Sequence, residues 1–180
     1  KLKLEPQSLN LVTFCKDLTV DYEALCQQKN IIFHFLPSRT IIRVEFDPEK
    51  MEILLSNLIS NAFKYTPEGG KIVLSIDETD EKVTLVVEDN GIGIQKEFQE
   101  VIFDRFFQIE NTEIFSTGDG IGLSFVKHLV ELHDGTIRVE SELNKGAKFI
   151  VELPKKERVD EPVSSEEEII IVPKSVKENM

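Results

Sequence analysis

Apolar positions recur at helical spacing in three stretches of the chain. Residues 8–28 place an apolar residue every three or four positions, which is typical of an amphipathic helix. The second stretch opens at Asp47-Pro48, a capping residue followed by a proline that suits a first helical turn, and stops near Thr66-Pro67. The third covers residues 120–133 and stops at Asp134-Gly135. The pattern therefore predicts three main helices.

Short apolar or alternating segments between these helices predict strands. They cover residues 31–36, 41–46, 71–77, 82–89, 136–142 and 147–153. A short helix is predicted from about Lys96. We therefore expect an α+β fold, a two-layer α/β sandwich in which a mixed sheet of about five strands carries the three main helices on one face.

The character of the chain changes after Pro154. Residues 155–180 are rich in charge and hold one apolar run, residues 169–172, which could form a single strand that pairs with a neighbour. We expect one domain at residues 8–154, followed at 155–180 by an acidic tail or a linker to a downstream domain. Because the chain opens with Lys1 rather than Met, we expect residues 1–7 to be the remnant of a linker from a preceding domain.

Composition narrows the functional classes. The 180 residues include 33 Asp or Glu against 21 Lys or Arg, a formal net charge of −12 that disfavours nucleic acid as a partner. No apolar run approaches the roughly 20 residues of a membrane span, so we expect no direct membrane contact. Cys15 and Cys26 fall in the first predicted helix, too far apart to bond, which predicts buried free thiols in a reducing compartment.

The second predicted helix carries two asparagines on its polar side. Asn57 and Asn61 are four residues apart and Lys64 is three further on, so all three share one helix face. Asn inside a helix costs up to about 0.7 kcal/mol relative to Ala, so two of them suggest a role beyond solubility. An amide oxygen can ligate Mg²⁺ and a lysine can contact phosphate. The alternative is a polar surface face with incidental asparagines.

Two glycine-bearing motifs follow. Asp89-Asn90-Gly91-Ile92-Gly93 ends a strand, where the carboxylate can accept a hydrogen bond from an amino group such as that of adenine. A plain turn is the alternative. Gly118-Asp119-Gly120-Ile121-Gly122-Leu123 leads into the third helix, whose exposed N–H groups and dipole favour an anion. It is not a Walker loop, because the G-K-[ST] ending is absent.

In their order along the chain, these motifs resemble the ATP-binding catalytic domain of sensor histidine kinases, which has the Bergerat fold of the gyrase, Hsp90, histidine kinase and MutL superfamily. The resemblance rests on an asparagine box at 57–66, two glycine boxes at 89–93 and 118–123, a phenylalanine box at 103–107 and a short final box at 146–149. It covers about residues 8–154. It also implies a flexible ATP lid at residues 109–119.

The resemblance implies a role for each motif residue. Asn61 would ligate Mg²⁺, Asn57 would support the metal and phosphate site, and Lys64 would meet phosphate. Asp89 would accept a hydrogen bond from the adenine amino group. The other implied ligand-binding residues, which would shape the base pocket or border the triphosphate, are Tyr65, Gly91, Gly93, Ile94, Arg105, Gly118, Gly120, Gly122 and Leu123. Arg105 is the weaker candidate for a lid cation, because Gln108 stands where many relatives place an arginine.

The implied activity is transfer of the ATP γ-phosphate to a histidine on a separate dimerisation domain, with ATP and Mg²⁺ as cofactors. We expect structural roles for His34, His128 and His133, so the chain would not phosphorylate itself. Asn57 stands where ATP hydrolases of the superfamily carry a glutamate base, which favours phosphotransfer over hydrolysis. The alternative is a non-catalytic nucleotide-responsive regulatory module, to which Gln108 lends weight; an ATPase is a third interpretation.

The expected partners follow from the same resemblance. They are the histidine-containing dimerisation domain of the same parent protein and a downstream response regulator or receiver domain. We expect this chain to be monomeric, the parent to be a homodimer, and the location to be cytoplasmic, which is compatible with a parent anchored in the inner membrane.

Overall fold

The computed structural model describes residues 2–104, 122–155 and 169–171. The helices are α1 (Leu11–Val20), α2 (Glu23–Lys29), α3 (Pro48–Tyr65) and α4 (Gly122–Leu132), with a 3-10 helix at Lys96–Phe98. The strands are β1 (Gln7–Asn10), β2 (Ile32–Pro37), β3 (Arg43–Phe46), β4 (Lys71–Glu78), β5 (Lys82–Asp89), β6 (Thr136–Glu142), β7 (Gly146–Pro154) and β8 (Ile169–Ile171). Four predicted features, namely the ATP lid, Arg105, Gly118 and Gly120, lie outside the described residues.

Six strands form the main sheet in the order β6-β7-β5-β4-β2-β8. β2 and β4 run parallel, whereas the other neighbouring strands run antiparallel, so the sheet is mixed. The predicted two-layer α/β sandwich of about five strands is confirmed, with the short β8 added beside β2. β3 does not join this sheet, because it pairs with β1 in a separate two-stranded sheet.

The helices cover one face of the main sheet. Strand residues on the covered face alternate with partly exposed ones, as the period of two requires. The buried strand residues include Phe33, Phe35, Ile72, Leu74, Ile76, Val83, Leu85 and Val87. The predicted apolar stripe of α3 packs among them, and its members Met51, Leu54, Leu55, Leu58 and Ala62 are all buried. No helix in the described part of the chain is long and apolar enough to span a membrane.

The prediction of one helix over residues 8–28 is wrong. The segment begins as β1, and its helical part is interrupted between Val20 and Glu23. Tyr22, at the interruption, stacks on Phe63 of α3 with ring centroids 5.5 Å apart, a tertiary contact that the local pattern does not show. The described residues therefore contain four α-helices, because the first of the three predicted helices is divided into α1 and α2.

The two cysteines lie in different helices as a result of this break. Cys15 belongs to α1 and Cys26 to α2, which corrects their predicted placement in one helix. Both are buried free thiols, as predicted. Burial raises the pKa of Cys26 to about 11, so this thiol stays protonated and poorly nucleophilic near neutral pH.

α3 has the predicted bounds because local signals fix both of its ends. The Asp47 carboxylate accepts the Lys50 N–H at 3.1 Å, and Pro48 occupies the first turn. At the other end the Thr66 N–H donates to the Ala62 carbonyl at 3.0 Å, and Thr66 itself is extended before Pro67.

Candidate functional site

A buried carboxylate stands at the end of β5. Asp89 is 8% exposed, and its Oδ1 atom accepts hydrogen bonds from the Gly91 N–H at 2.8 Å and the Ala147 N–H at 3.3 Å. Burial raises the pKa of the Asp89 carboxyl, and these two N–H groups oppose that shift. No ion pair between Asp89 and a lysine or arginine occurs among the described residues. The carboxylate is therefore suited to receive a neutral donor such as an amino group.

Glycines let the turn after Asp89 pack closely against its surroundings. A Cβ at Gly91 would lie 2.2 Å from the Tyr65 carbonyl oxygen, and one at Gly93 would lie 2.1 Å from the Glu142 carbonyl oxygen. Gly93 also has φ +69°, which L side chains rarely adopt. The Ile92 N–H donates to the Tyr65 carbonyl at 3.2 Å. These contacts join the turn after β5 to the C-terminal end of α3.

The polar face of α3 begins beside α4. Asn57 donates from Nδ2 to the Ile53 carbonyl at 2.7 Å, which fixes the rotamer of its side chain. Its Oδ1 atom would lie 2.9 Å from a Cβ at Gly122, so glycine is what allows the start of α4 to approach α3. The N-terminal end of α4 thus lies next to the asparagine face of α3.

The other two predicted residues of this face lie further along α3. The Asn61 side chain is partly exposed, and no described residue hydrogen-bonds to its amide, so its oxygen is available to a ligand. The Lys64 ammonium lies 5.1 Å from the centroid of the Tyr65 ring, a cation–π contact that holds both side chains at the end of the helix.

Ser141 is a residue of this region that the sequence patterns did not identify. Its Oγ atom accepts the Ile94 N–H at 2.8 Å and donates to the Gly146 carbonyl at 2.7 Å. It thereby ties the segment after Gly93 to the start of β7. Ser141 is 47 residues from Ile94 in sequence, and only the pairing of β6 with β7 brings it here, so no local signal could have found it.

The predicted site residues that the structure describes come from three parts of the chain, and contacts connect these parts. Asn57, Asn61, Lys64 and Tyr65 belong to the α3 group, Asp89, Gly91, Gly93 and Ile94 to the β5 turn, and Gly122 and Leu123 to α4. Tyr65 joins α3 to the β5 turn, and the Asn57–Gly122 approach joins α3 to α4. The three groups therefore form one region at the same end of the main sheet.

The donor set of this region suits a magnesium–nucleotide complex. Among the described residues, no group of three or more His, Cys, Asp or Glu side chains could hold a metal ion. Mg²⁺ usually takes only one or two protein oxygens and completes its shell with water and substrate phosphates. The open amide oxygen of Asn61 fits that mode.

Comparison with known proteins identifies the family. The model for histidine kinase-, DNA gyrase B-, and HSP90-like ATPases matches residues 46–157, which is most of the chain and includes α3, the β5 turn and α4. The chain belongs to this ATPase family.

Curated relatives place this family member among the histidine kinases. Histidine kinase P4 of Formosa agariphila is 37% identical over 158 residues, which is 86% of this chain and 12% of the relative. Sensor histidine kinase WalK of Bacillus subtilis is 36% identical over 156 residues, which is 85% of this chain and 25% of the relative. The chain thus spans a quarter or less of the length of these two relatives.

Solved structures agree with this placement. The catalytic domain of histidine kinase ThkA superposes with a TM-score of 0.76 at 33% identity, covering 84% of this chain and 99% of that one. ThkA has also been solved in complex with the response regulator protein TrrA, and that structure matches with a TM-score of 0.73 at 31% identity, covering 85% of this chain and 42% of that one. The resemblance inferred from the motifs is confirmed: the chain is an ATP-binding catalytic domain of the sensor histidine kinase type.

Proposed function

We propose that this domain binds ATP with Mg²⁺ and transfers the γ-phosphoryl group to a histidine of a separate dimerisation domain. The observation that carries the proposal is the junction at Tyr65. Its carbonyl oxygen receives the Ile92 N–H, which sets the turn after Asp89 against the end of the helix that bears Asn61. One ligand with the neutral amino group of a nucleobase at one end and phosphates at the other would satisfy both halves of the region.

Asp89 and its glycines would hold the base. The carboxylate would accept the adenine amino N–H, and the neighbouring backbone, free of side chains at Gly91 and Gly93, would lie against the ring. A carboxylate that already accepts two backbone N–H groups has a fixed orientation, so it would be preorganised for this contact.

The asparagine face would hold the phosphates. Asn61 would contribute an oxygen to the metal, Lys64 would contact phosphate, and the positive end of the α4 dipole, which starts near Asn57, would add to the attraction. Mg²⁺, when bound, neutralises phosphate charge and favours departure of ADP. The work of the protein would be positioning and charge complementarity.

The residue chemistry favours a histidine acceptor over water. Asn57 cannot take a proton near neutral pH, and its amide is already bonded to the Ile53 carbonyl, so it cannot act as a general base. A neutral imidazole needs no base to attack phosphorus. His133 is buried with both ring nitrogens engaged, so it is not a suitable acceptor. We propose that the acceptor is a histidine of another domain.

The remaining partner is proposed by similarity. ThkA forms a complex with a response regulator, and we propose a response regulator or receiver domain as the later recipient of the phosphoryl group here. We propose a cytoplasmic location for the domain, since ATP is supplied there.

Phosphotransfer in trans tests the proposal. The chain would be mixed with labelled ATP, Mg²⁺ and the purified dimerisation domain of the parent protein, with Asn61→Ala as the matched inactive variant. We expect acid-labile, alkali-stable label on the dimerisation domain with the native chain and little with the variant. Tight ATP binding without label would instead establish a nucleotide-responsive module. Steady phosphate release from the chain alone would establish an ATPase.

A further inference from the structure

His133 connects two helices at a buried junction away from the nucleotide residues. It directly follows α4, is 7% exposed, and accepts the backbone N–H of Asp47 on Nε2 at 3.1 Å. Its Nδ1 lies 2.7 Å from the Leu129 carbonyl oxygen. An N–H group can only donate and a carbonyl oxygen can only accept, so the ring carries its proton on Nδ1 and none on Nε2. The geometry thus requires one tautomer of His133.

The residue held by His133 is the N-cap of α3. Asp47 is 2% exposed, and its backbone N–H, donating to the ring, lies just before the helix that bears Asn57 and Asn61. Its carboxylate accepts the Lys50 N–H at 3.1 Å and so fixes the first turn of that helix. A loss of the His133 acceptor would leave a buried N–H unpaired, and a movement of α3 relative to α4 would relieve that cost by exposing the N–H to water.

α3 and α4 are therefore joined at two points. One is the Asp47–His133 hydrogen bond at the beginning of α3 and the end of α4. The other is the approach of Gly122 to Asn57, where no Cβ could be accommodated without a shift. Since packed helices transmit small displacements rather than absorb them, the first contact helps to set the geometry of the second.

The N-terminal segment reaches the same junction. The Glu5 N–H donates to Asp47 Oδ2 at 2.8 Å, and β1 then pairs with β3 so that Gln7 lies opposite Phe46. The Asp47 carboxylate thus accepts a hydrogen bond from the N-terminal segment, and the Asp47 N–H donates one to His133 at the end of α4. One residue, Asp47, therefore contacts the entering segment and the first turn of α3 through its side chain and the end of α4 through its backbone.

We propose that His133 is a positioning residue for nucleotide binding, and that the Glu5–Asp47–His133 junction couples the N-terminal segment to the spacing of α3 and α4. Displacement of the entering segment from Asp47 would loosen the junction and lower affinity for the nucleotide. The inference rests on the proposed function for its affinity readout alone, because the junction itself can be observed without ligand.

The first test reads the tautomer directly. In the ligand-free native chain, ¹⁵N chemical shifts of the His133 ring should show a protonated Nδ1 and an unprotonated Nε2. A ring protonated on Nε2 alone would overturn the junction. His128, which is exposed on the same helix, provides the internal reference for an unconstrained ring.

The second test separates positioning from general stability. His133→Gln can place an acceptor oxygen near the native Nε2 position, whereas His133→Asn is too short to reach Asp47. We expect His133→Asn to weaken Mg-ATP binding by roughly fivefold or more, because the Asp47 N–H loses its acceptor. We expect His133→Gln to recover most of the affinity and His128→Asn to match the native chain. Equal affinities for the two His133 variants, whatever their melting temperatures, would overturn the positioning role.

The third test examines the entering segment. Glu5→Pro removes the N–H that Asp47 accepts, and Glu5→Ala keeps it. We expect the proline variant alone to shift the His133 ring resonances and to weaken Mg-ATP binding about twofold or more, since a charge-assisted hydrogen bond is lost. Ring shifts that are identical in the two variants would overturn the coupling. A native chain with the expected tautomer and no ATP binding would refute the proposed function, and the Glu5 pair would still decide the coupling through the ring shifts.

Discussion

Each end of the main sheet has an acidic side chain that is almost completely buried, but the two acids have different hydrogen-bond and ion-pair partners. At the end that carries the proposed nucleotide site, Asp89 accepts two backbone N–H groups and pairs with no cation among the described residues. At the opposite end, Glu78 contacts the Lys155 ammonium and also lies 3.3 Å from the Arg39 guanidinium. The Lys155 and Glu78 side chains are 7% and 6% exposed. One acid is fully paired within the protein, and the other has capacity left for a ligand.

This difference shows how a structural acid can be told from a binding acid. A buried charge is tolerated when a partner charge compensates for lost hydration, as at Glu78. Asp89 lacks that compensation, and burial raises the pKa of its carboxyl. Perturbed groups of this kind concentrate at functional sites because function, rather than stability, accounts for them. The two ends should therefore respond oppositely to mutation.

The largest expected effect is loss of stability at the far end. Lys155→Met leaves Glu78 without its closer cation, which should cost about 3 kcal/mol of unfolding free energy, the lower end of the range for a broken buried pair, because Arg39 still lies 3.3 Å away. Chemical denaturation measures this loss, and Mg-ATP affinity of the folded variant should match that of the native chain. The matched control is Lys82→Met, whose pair with Glu152 is more exposed and should contribute no more than about 1 kcal/mol. If Lys155→Met and Lys82→Met lost equal amounts of unfolding free energy, the claim that the buried pair stabilises the fold more than the exposed pair would be wrong.

The second largest effect is expected at Asp89, where a substitution should lower ligand affinity and leave stability intact. Asp89→Asn replaces the charged acceptor, so Mg-ATP affinity should fall about 10- to 100-fold, the range for a hydrogen bond to a charged group. The melting temperature should stay the same or rise, because the variant no longer buries an uncompensated charge. Glu88→Gln, an exposed acid on the same strand, is the control for both measurements by calorimetry. A destabilised Asp89→Asn chain with native affinity would mean that Asp89 is a structural acid.

A smaller effect is expected from pH. Because burial raises the pKa of Asp89 above its ordinary value of 3.8, the folded chain binds more protons at this residue than the unfolded chain in the window between the two values. Stability from this group therefore falls as pH rises through the window, whereas ATP affinity rises, since the ligand needs the carboxylate.

Measuring the affinity for Mg-ATP at a series of decreasing pH values tests that dependence. We expect a loss of a few-fold in the native chain that begins at a higher pH than an ordinary aspartate would cause. Asp89→Asn should lack this component, and the titration of the ATP phosphates cancels because both chains receive the same ligand. Parallel pH profiles for the two chains would contradict the role of Asp89.

Local signals made both ends of α3 predictable. Asp47-Pro48 and Thr66-Pro67 mark helix ends through capping and proline geometry, and the structure has α3 between them. The motif order also identified the family. The ligand-contacting role of each site residue remains a prediction, because geometry shows only which of them lie together.

Contacts distant in sequence account for what the patterns missed. The apolar spacing continues through Tyr22, whereas the structure ends α1 at Val20 and stacks the Tyr22 ring on Phe63 of α3. The alternation in β3 predicts a strand but not its partner, and β3 pairs with β1, more than thirty residues earlier in the chain, in place of the main sheet. The hydrogen bond between Asp47 and His133 joins residues 86 positions apart. The sequence predicts a structural role for His133 but does not identify this partner. In all three cases the feature that the patterns missed is a contact between residues distant in sequence.

The central claim is that one nucleotide bridges Asn61 and Asp89, and its most direct test is the magnesium dependence of ATP affinity. Calorimetric titrations would be made with and without Mg²⁺ on the native chain, Asn61→Ala and Asp89→Asn. We predict that Mg²⁺ strengthens ATP binding to the native chain, that Asn61→Ala loses this gain, and that Asp89→Asn binds more weakly yet keeps it. An Asn61→Ala chain that retains the full magnesium gain, or a native chain that binds no ATP, would contradict the account.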